Sequence, residues 1–462
     1  GDLPQELRGL VAGIDIEQFK AHHLGVNLSP VKITTGDIEI TDSSLFGLIY
    51  YEDTEYLVYQ SKPYDFKVLY LRVLFANSAI SSFSSQIQLL VAELFGERSS
   101  LLGSDQGDNL ILNGVMQQQG DKQSYSFTKQ GTDVFTIESH VLDTIDISQA
   151  QFVTLPEDET SDLITSQFLL WGRLKYKQLP EFDLFSFGPS ADTGSDGPSG
   201  GLQFSNLMIS MSYGATGASG PTGSSGPGGP TEPTAQEETT FAFEAGQMVF
   251  DPGSSSARPQ SLFSRFPLQV VGMLQGNAET LPADLAYIPM DTPLPIGPLG
   301  DPWFGLQMSL SLGSQGSLAP KANFTATLLA AWAPSAETYN VAVAIQLPGS
   351  QRDSKTLVIE GPLKLSIGSL ALLENKEQQA YLMRFANIAL SVFGVKFPPG
   401  GRTNLLLFGD PNPKAANTTL GWYAAYAKNP SKTGPTGPTG SLISTKTKSL
   451  IKDPSKCGGC GE

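Results

Sequence analysis

Leu306-Gln307-Met308-Ser309-Leu310-Ser311-Leu312 sets an apolar residue at every even position and a small polar one at every odd position. Successive side chains of an extended chain point to opposite faces, so this run is a strand with one oily and one small polar face. Phe324, Ala326, Leu328, Ala330 and Trp332 repeat the pattern, as do Tyr339, Val341, Val343, Ile345 and Leu347, and then Leu363, Leu365 and Ile367. Gly313-Ser314-Gln315-Gly316, Ala333-Pro334-Ser335 and Pro348-Gly349-Ser350 lie between them and mark reversals. Residues from about 240 to 428 therefore read as an antiparallel sheet region. The opposite faces carry Ser, Ala, Gly, Thr and Gln rather than Lys or Glu. Small neutral residues suit either a second packed sheet or a groove for something weakly polar.

Outward from this region the pattern loosens. Leu7, Leu10, Val11, Ile14 and Phe19 give residues 3–24 a loose helical spacing, with His22-His23 where that helix ends. Val31 to Glu39, Leu45 to Tyr51, Tyr56 to Ser61 and Phe66 to Phe75 read as strands, with Ile87 to Phe95 ambiguous between helix and strand. Ser124 to Phe127, Val134 to Ser139 and Phe168 to Tyr176 add further strands. The fold class expected is mainly β: antiparallel sheets of sandwich or open-groove type, a few short helices, and Gly/Pro/Ser-rich collagen-like loops. The expected domains are residues 1–185, a Gly/Ser linker at 186–201, a β domain at 202–430 interrupted at 214–238, and a flexible tail at 431–462.

Glycine recurs every third residue at 194–200, 214–229 and 434–440. That is collagen register, since only Gly fits a triple-helix axis, but six triplets at most are short for a free-standing helix. A flexible loop is the expectation. The Gly-x-Ser-x-Gly match at residues 197–201 falls here, without the strand and helix a nucleophile elbow requires. Three segments echo one another: Phe75-Ala76-Asn77, Phe204-Ser205-Asn206 and Phe385-Ala386-Asn387 each run on to an Ile or Leu followed by Ser. The first and third are followed by Leu-Phe-Gly at residues 94–96 and 407–409. Duplicated β modules or chance both account for this, and duplication makes the Asn a structural position.

Leu363-Lys364-Leu365-Ser366-Ile367, Phe397-Pro398-Pro399-Gly400-Gly401, Leu420-Gly421-Trp422-Tyr423 and Asp301-Pro302-Trp303-Phe304 resemble segments of very large β-rich microbial proteins without an assigned activity. The resemblance covers about residues 203–428. It implies architecture and no chemistry, and that the chain is one piece of a longer polypeptide.

Composition bounds the partners. The 29 Lys and Arg against 45 Asp and Glu give a net charge of −16, which repels phosphate backbones and argues against nucleic acid. Lys446, Lys448, Lys452 and Lys456 form a tail without interleaved aromatics. No apolar run of about 18 residues offers an integral membrane span. Gly1 in place of Met reads as a processed or truncated chain, with an extracellular or cell-surface address slightly favoured. Cys457 and Cys460 in Cys-Gly-Gly-Cys read as a tail that crosslinks or binds metal between chains. An outer-membrane barrel requires strands of about 9–11 residues, longer than the runs seen here.

No phosphate or dinucleotide loop and no His-Glu-x-x-His appears, so no cofactor is expected. His140 after Glu138-Ser139 leaves a Ser/His/Asp triad formally open. Glu157-Asp158-Glu159 with Asp162, and Asp105, Asp108 and Asn109 around Gly107, are the two clusters able to gather oxygen ligands for Ca²⁺; exposed acidic loops are the plainer reading. Trp332 shares parity with the oily face and reads as core, whereas Trp422, Tyr423 and Tyr426 read as an exposed set. The function expected is a non-catalytic β-rich structural or binding protein, with an apolar ligand or an assembly partner. A carbohydrate-binding or carbohydrate-active protein is the alternative.

Overall fold

The computed structural model describes residues 5–11, 14, 18–34, 37–77, 79–119, 122–156, 164–177, 185–188, 200–215, 237–257, 268–292, 299–314, 323–334 and 340–347, with 356–359, 363–366, 368–375, 380–386, 389–392, 395–397, 405–409 and 421–425 beyond them. Two compact units emerge. One takes Gly1–Glu138, Thr144–Arg173 and Phe204–Met248; the other takes Ser139–Asp143, Leu174–Gln203 and Val249–Glu462.

The chain is mainly β with antiparallel sheets, and among the described residues helix is confined to Gln5–Val11 (α1) and a short 3₁₀ turn at Pro282–Leu285. The first unit is built on one large sheet. Its strands are β1 (Lys20–Thr34), β2 (Asp37–Glu52), β3 (Tyr64–Ala76), β4 (Ala79–Val91), β5 (Glu93–Leu94), β6 (Glu97–Leu101), β7 (Asn109–Gln119), β8 (Lys122–Ile137), β9 (Leu142–Thr154), β10 (Ile164–Tyr176), β11 (Leu202–Ala215) and β12 (Glu237–Glu244). Ten of them pair in the order β1-β2-β3-β4-β7-β8-β9-β10-β11-β12, while β5 and β6 form a hairpin attached to β8.

Register fixes which side chains share a face. Leu71, Ser85, Gly114, Phe127 and Phe152 lie directly opposite one another across β3, β4, β7, β8 and β9. This is the inner face. Its rings interlock: Phe127 meets Phe83 and Phe152 edge-on at 5.7 and 5.6 Å, and Phe66 of β3 stacks on Phe152 of β9 at 5.6 Å. Strands β3 and β9 stand four places apart in the sheet, so ring contact between them means that the sheet curls around its own core. Gly114 is required here, because a Cβ at that position would lie 2.6 Å from the Phe127 ring.

The second unit centres on β14 (Leu268–Gly276), β16 (Trp303–Ser314), β17 (Asn323–Ala333) and β18 (Asn340–Gln346), with the short β13 (Val249–Phe250) before them and β15 (Ile288–Pro289) pairing at the edge of β18. The apolar parity read in the sequence is the buried one: Phe304, Leu306 and Met308 face Trp332, Ala330 and Leu328, which in turn face Val341, Val343 and Ile345. Trp332 is buried, as its parity requires. The opposite, small-residue face is buried as well, at Leu329, Ala331 and Ala344. Its cover in the described residues is Tyr287 and Trp303 rather than a further sheet. Trp303 donates its indole N–H to the carbonyls of Asn277 and Thr280, at 3.2 and 2.9 Å. Gln307 donates to the Tyr287 hydroxyl at 2.8 Å. Gly276 leaves room for the indole, since a Cβ there would sit 2.3 Å from it.

Beyond residue 355 the chain alternates between two four-stranded sheets. β19 (Thr356–Ile359), β20 (Leu363–Ser366), β23 (Ala389–Val392) and β24 (Val395–Phe397) form one; β21 (Ser369–Asn375), β22 (Ala380–Ala386), β25 (Leu405–Gly409) and β26 (Gly421–Ala425) form the other.

Several expectations change. Helix α1 ends at Val11, and His22 lies in β1 opposite Leu48, because pairing with β2 overrides the loose helical spacing. Val31 to Glu39 is not one strand: β1 ends at Thr34 and β2 begins at Asp37, its register partner. Residues 87–94 are strand rather than helix apart from Ala92, and Phe95 lies in the turn that follows. The strands of the first unit reach 13–16 residues, so strand length does not argue against a barrel. Tyr56 to Ser61 is not a strand at all, for a reason that belongs to the site below. Asn77 and Asn206 share a left-handed backbone (φ 51° and 60°), but Asn77 closes the β3–β4 turn and Asn206 lies within β11. Ala215 and Glu237 are register partners, which makes 216–236 the connection of the β11–β12 hairpin. That connection, Glu157 to Asp162, and the Cys-Gly-Gly-Cys tail lie outside the described residues, as do the side chains of Trp422, Tyr423 and Tyr426.

Candidate functional site

The outer face of the large sheet carries the site. Glu52, Tyr70, Gln86, Asn113, Thr128 and Gln151 lie directly opposite one another on six adjacent strands. The next row is Tyr50, Arg72, Ser84, Val115 and Ser126. A register shift between Val68 and Tyr70 sets this face: the bulge inserts one residue, so Leu69 is buried while Tyr70 turns outward. Apart from Glu52 and Arg72 these rows are amides, hydroxyls and one Val. A lipid-facing band is apolar, so this face is not one.

Neighbours along the rows bond to each other. The Gln86 amide donates to Asn113 Oδ1 at 3.2 Å, and the Tyr70 and Ser84 hydroxyls stand 3.3 Å apart. Those bonds leave Gln86 Oε1 as an acceptor and the Asn113 amide N–H groups as donors. The polar groups are thereby oriented, not merely present.

A strap crosses one end of this face. Residues 53–63 leave β2 and pass over β4 and β7 before β3 begins. The strap's ends are pinned by Asp53 N–H to the Leu69 carbonyl at 2.8 Å and by Ala92 N–H to the Pro63 carbonyl at 2.9 Å. Its middle is held by side chains rather than by a neighbouring strand. Gln88, wholly buried, accepts from Leu57 N–H at 3.3 Å and donates to the Glu55 carbonyl at 3.4 Å. Asn109, also buried, donates to the Leu57 carbonyl at 2.8 Å, and Lys67 donates to the Glu55 carbonyl at 2.9 Å. The Arg98 guanidinium lies over the Tyr59 ring at 3.9 Å. This is why Tyr56 to Ser61 is no strand: the Leu57 backbone is held by the amide side chains of Gln88 and Asn109, which free it from ladder geometry.

Strap and rows together enclose a depression of about 500 Å³, lined by Glu52, Asp53, Thr54 and Tyr56 on one side and by Tyr70, Ser84, Gln86, Asn113 and Val115 on the floor. Tyr56 is 41% exposed, so one ring stands at the rim of a hydrogen-bonding floor. Asp53 pairs with Lys67 at 2.8 Å. The hydrogen bond from Lys67 holds the Asp53 carboxyl below the usual carboxylate range, with the Glu55 N–H assisting. Burial, and then the Asp53 charge, push the Tyr51 hydroxyl up. Asp53 is thus an ionised, neutralised acceptor at neutral pH.

Asp108, Asn109 and Ser139, also singled out from sequence, have structural partners. Asp108 accepts from Leu101 N–H at 2.8 Å and pairs with Arg98 at 3.4 Å, while the Asn109 amide is committed to Leu57 and Gln106. Ser139, beside His140, accepts at its hydroxyl from the Val141 and Leu142 N–H groups, both at 3.2 Å. It caps a turn. Tyr70, Ser84, Gln86 and Asn113 escaped the sequence reading; their signal is the neutral parity of Ser82, Ser84, Gln86 and Gln88, the same signal noticed at residues 306–346. Among the described residues, no helix is long and apolar enough to cross a membrane. No family model, no curated protein and no solved structure matches the chain.

Proposed function

We propose that the protein is a non-catalytic binding protein whose outer sheet face takes neutral, hydroxyl-rich ligands, carbohydrate in class. One observation carries the reading: Tyr70, Ser84, Gln86 and Asn113, oriented by cross-strand bonds, open beside the Tyr56 ring, and the register continues their row through Thr128 and Gln151. Amides and hydroxyls match the paired donors and acceptors of sugar hydroxyls, and a tyrosine ring matches their apolar face. A net charge of −16 disfavours anionic polymers. Asp53 is unsuited to the acid role of a glycosidase, which requires a raised pKa, because Lys67 imposes the reverse. An apolar groove is less well supported, since the small neutral face of β16–β18 lies beneath Trp303 and Tyr287.

A glycan panel of neutral and sulfated or uronic-acid oligosaccharides tests the proposal. Neutral members are expected to bind without being cleaved. Exclusive binding of anionic members, or release of shortened products, would refute it.

A further inference from the structure

Asn109 has an acceptor that none of the described residues uses. Its amide nitrogen is committed twice, to the Leu57 carbonyl at 2.8 Å and the Gln106 carbonyl at 2.6 Å, which fixes the orientation of the group. Its Oδ1 is buried and has no hydrogen-bond partner among the described residues. A buried polar atom left bare is uncommon and costly, and in native proteins it commonly marks a missing partner. Asn109 lines a second cavity of about 450 Å³, together with Ser104, Gln106, Lys129, Thr132 and Asp133. Lys129 and Asp133 pair at 2.9 Å, so the cavity holds no net charge from them.

The two cavities share a track. Asn109, Ile111, Asn113 and Val115 alternate along one face of β7; the first two line the second cavity and the last two line the first. Four residues of strand separate Asn109 from Asn113, about 13 Å. That span exceeds a disaccharide. We propose that the second cavity is a further subsite for the same ligand, with Asn109 Oδ1 accepting from a sugar hydroxyl, so that the protein selects oligosaccharides long enough to reach both.

The inference rests on the carbohydrate reading of the first depression, and calorimetric titration with neutral glucose and N-acetylglucosamine oligomers, from disaccharide to hexasaccharide, separates the two. The hexasaccharide is expected to bind at least about tenfold tighter than the disaccharide. Asn109→Leu should abolish that gain and, because it also releases the Leu57 carbonyl of the strap, lower disaccharide affinity as well. Thr132→Trp, an exposed substitution at the cavity wall that leaves the strap bonds intact, should abolish the gain with disaccharide affinity unchanged. If the disaccharide binds but length brings no gain, or the gain survives both substitutions, the second subsite is refuted and the first reading stands. If no oligomer binds, both fall.

Discussion

Replacing Gln88 with Ala tests whether the strap is held as described. The substitution removes two neutral hydrogen bonds, from Leu57 N–H and to the Glu55 carbonyl. Each is worth about 1 kcal/mol net, so the strap should lose about 2 kcal/mol. Ala returns little apolar burial, whereas Leu would gain by sitting under the strap and blur the result. At 1.4 kcal/mol per factor of ten, the opening equilibrium should shift about 30-fold. Hydrogen exchange reads this directly. The amides of Glu55 and Leu57 should exchange about 30-fold faster, while those of Leu89 and Leu112 in the core strands keep their protection. Sugar affinity should fall too, because Asp53, Thr54 and Tyr56 line the depression and move with the strap. Unchanged exchange at residues 55–57 would refute the claim that Gln88 holds this segment. Equal acceleration throughout the sheet would show instead that Gln88 serves the whole core.

Other consequences follow from the same geometry. Gly276→Ala should destabilise by about 3 kcal/mol, from overpacking against Trp303 and strain on its two indole bonds; a thermal midpoint within a degree of the parent would contradict this. Asp53 has a depressed pKa in the folded protein, so its contribution is present above the unfolded carboxylate value of about 3.9 and is lost as pH falls through the folded one. Protection of the Glu55 amide, taken relative to its intrinsic exchange rate at each pH, should therefore fall in acid, and Asp53→Asn should remove that dependence. Gly114→Val should abolish stable folding of the large sheet, since the Phe127 ring occupies the place of its Cβ; a cooperative transition at the parent temperature would refute it.

Strand and face were legible wherever a face was uniformly apolar. Leu306 to Leu312 declares its parity because each inward position is oily, and Trp332 follows from the same count. What covers the opposite face was not legible. Ala331 and Ala344 announce close packing, but the covering groups are single side chains: Trp303, placed by bonds to loop carbonyls, and Tyr287, whose hydroxyl is held by Gln307. The strap was illegible for a related reason. Tyr56 to Ser61 has strand-like residues, and only the side chains of Gln88 and Asn109, 31 and 52 residues away from Leu57, divert its backbone. The site rows escaped because Ser, Gln and Asn on a strand read as solvated until register sets them side by side.

The most direct measurement is the affinity of the double variant Gln86→Ala, Asn113→Ala for a neutral oligosaccharide that binds the parent. Loss of the two oriented amides should weaken binding by about 30-fold, or about 2 kcal/mol, with an unchanged thermal midpoint. Parent-like affinity in a folded variant would place recognition elsewhere and contradict the account.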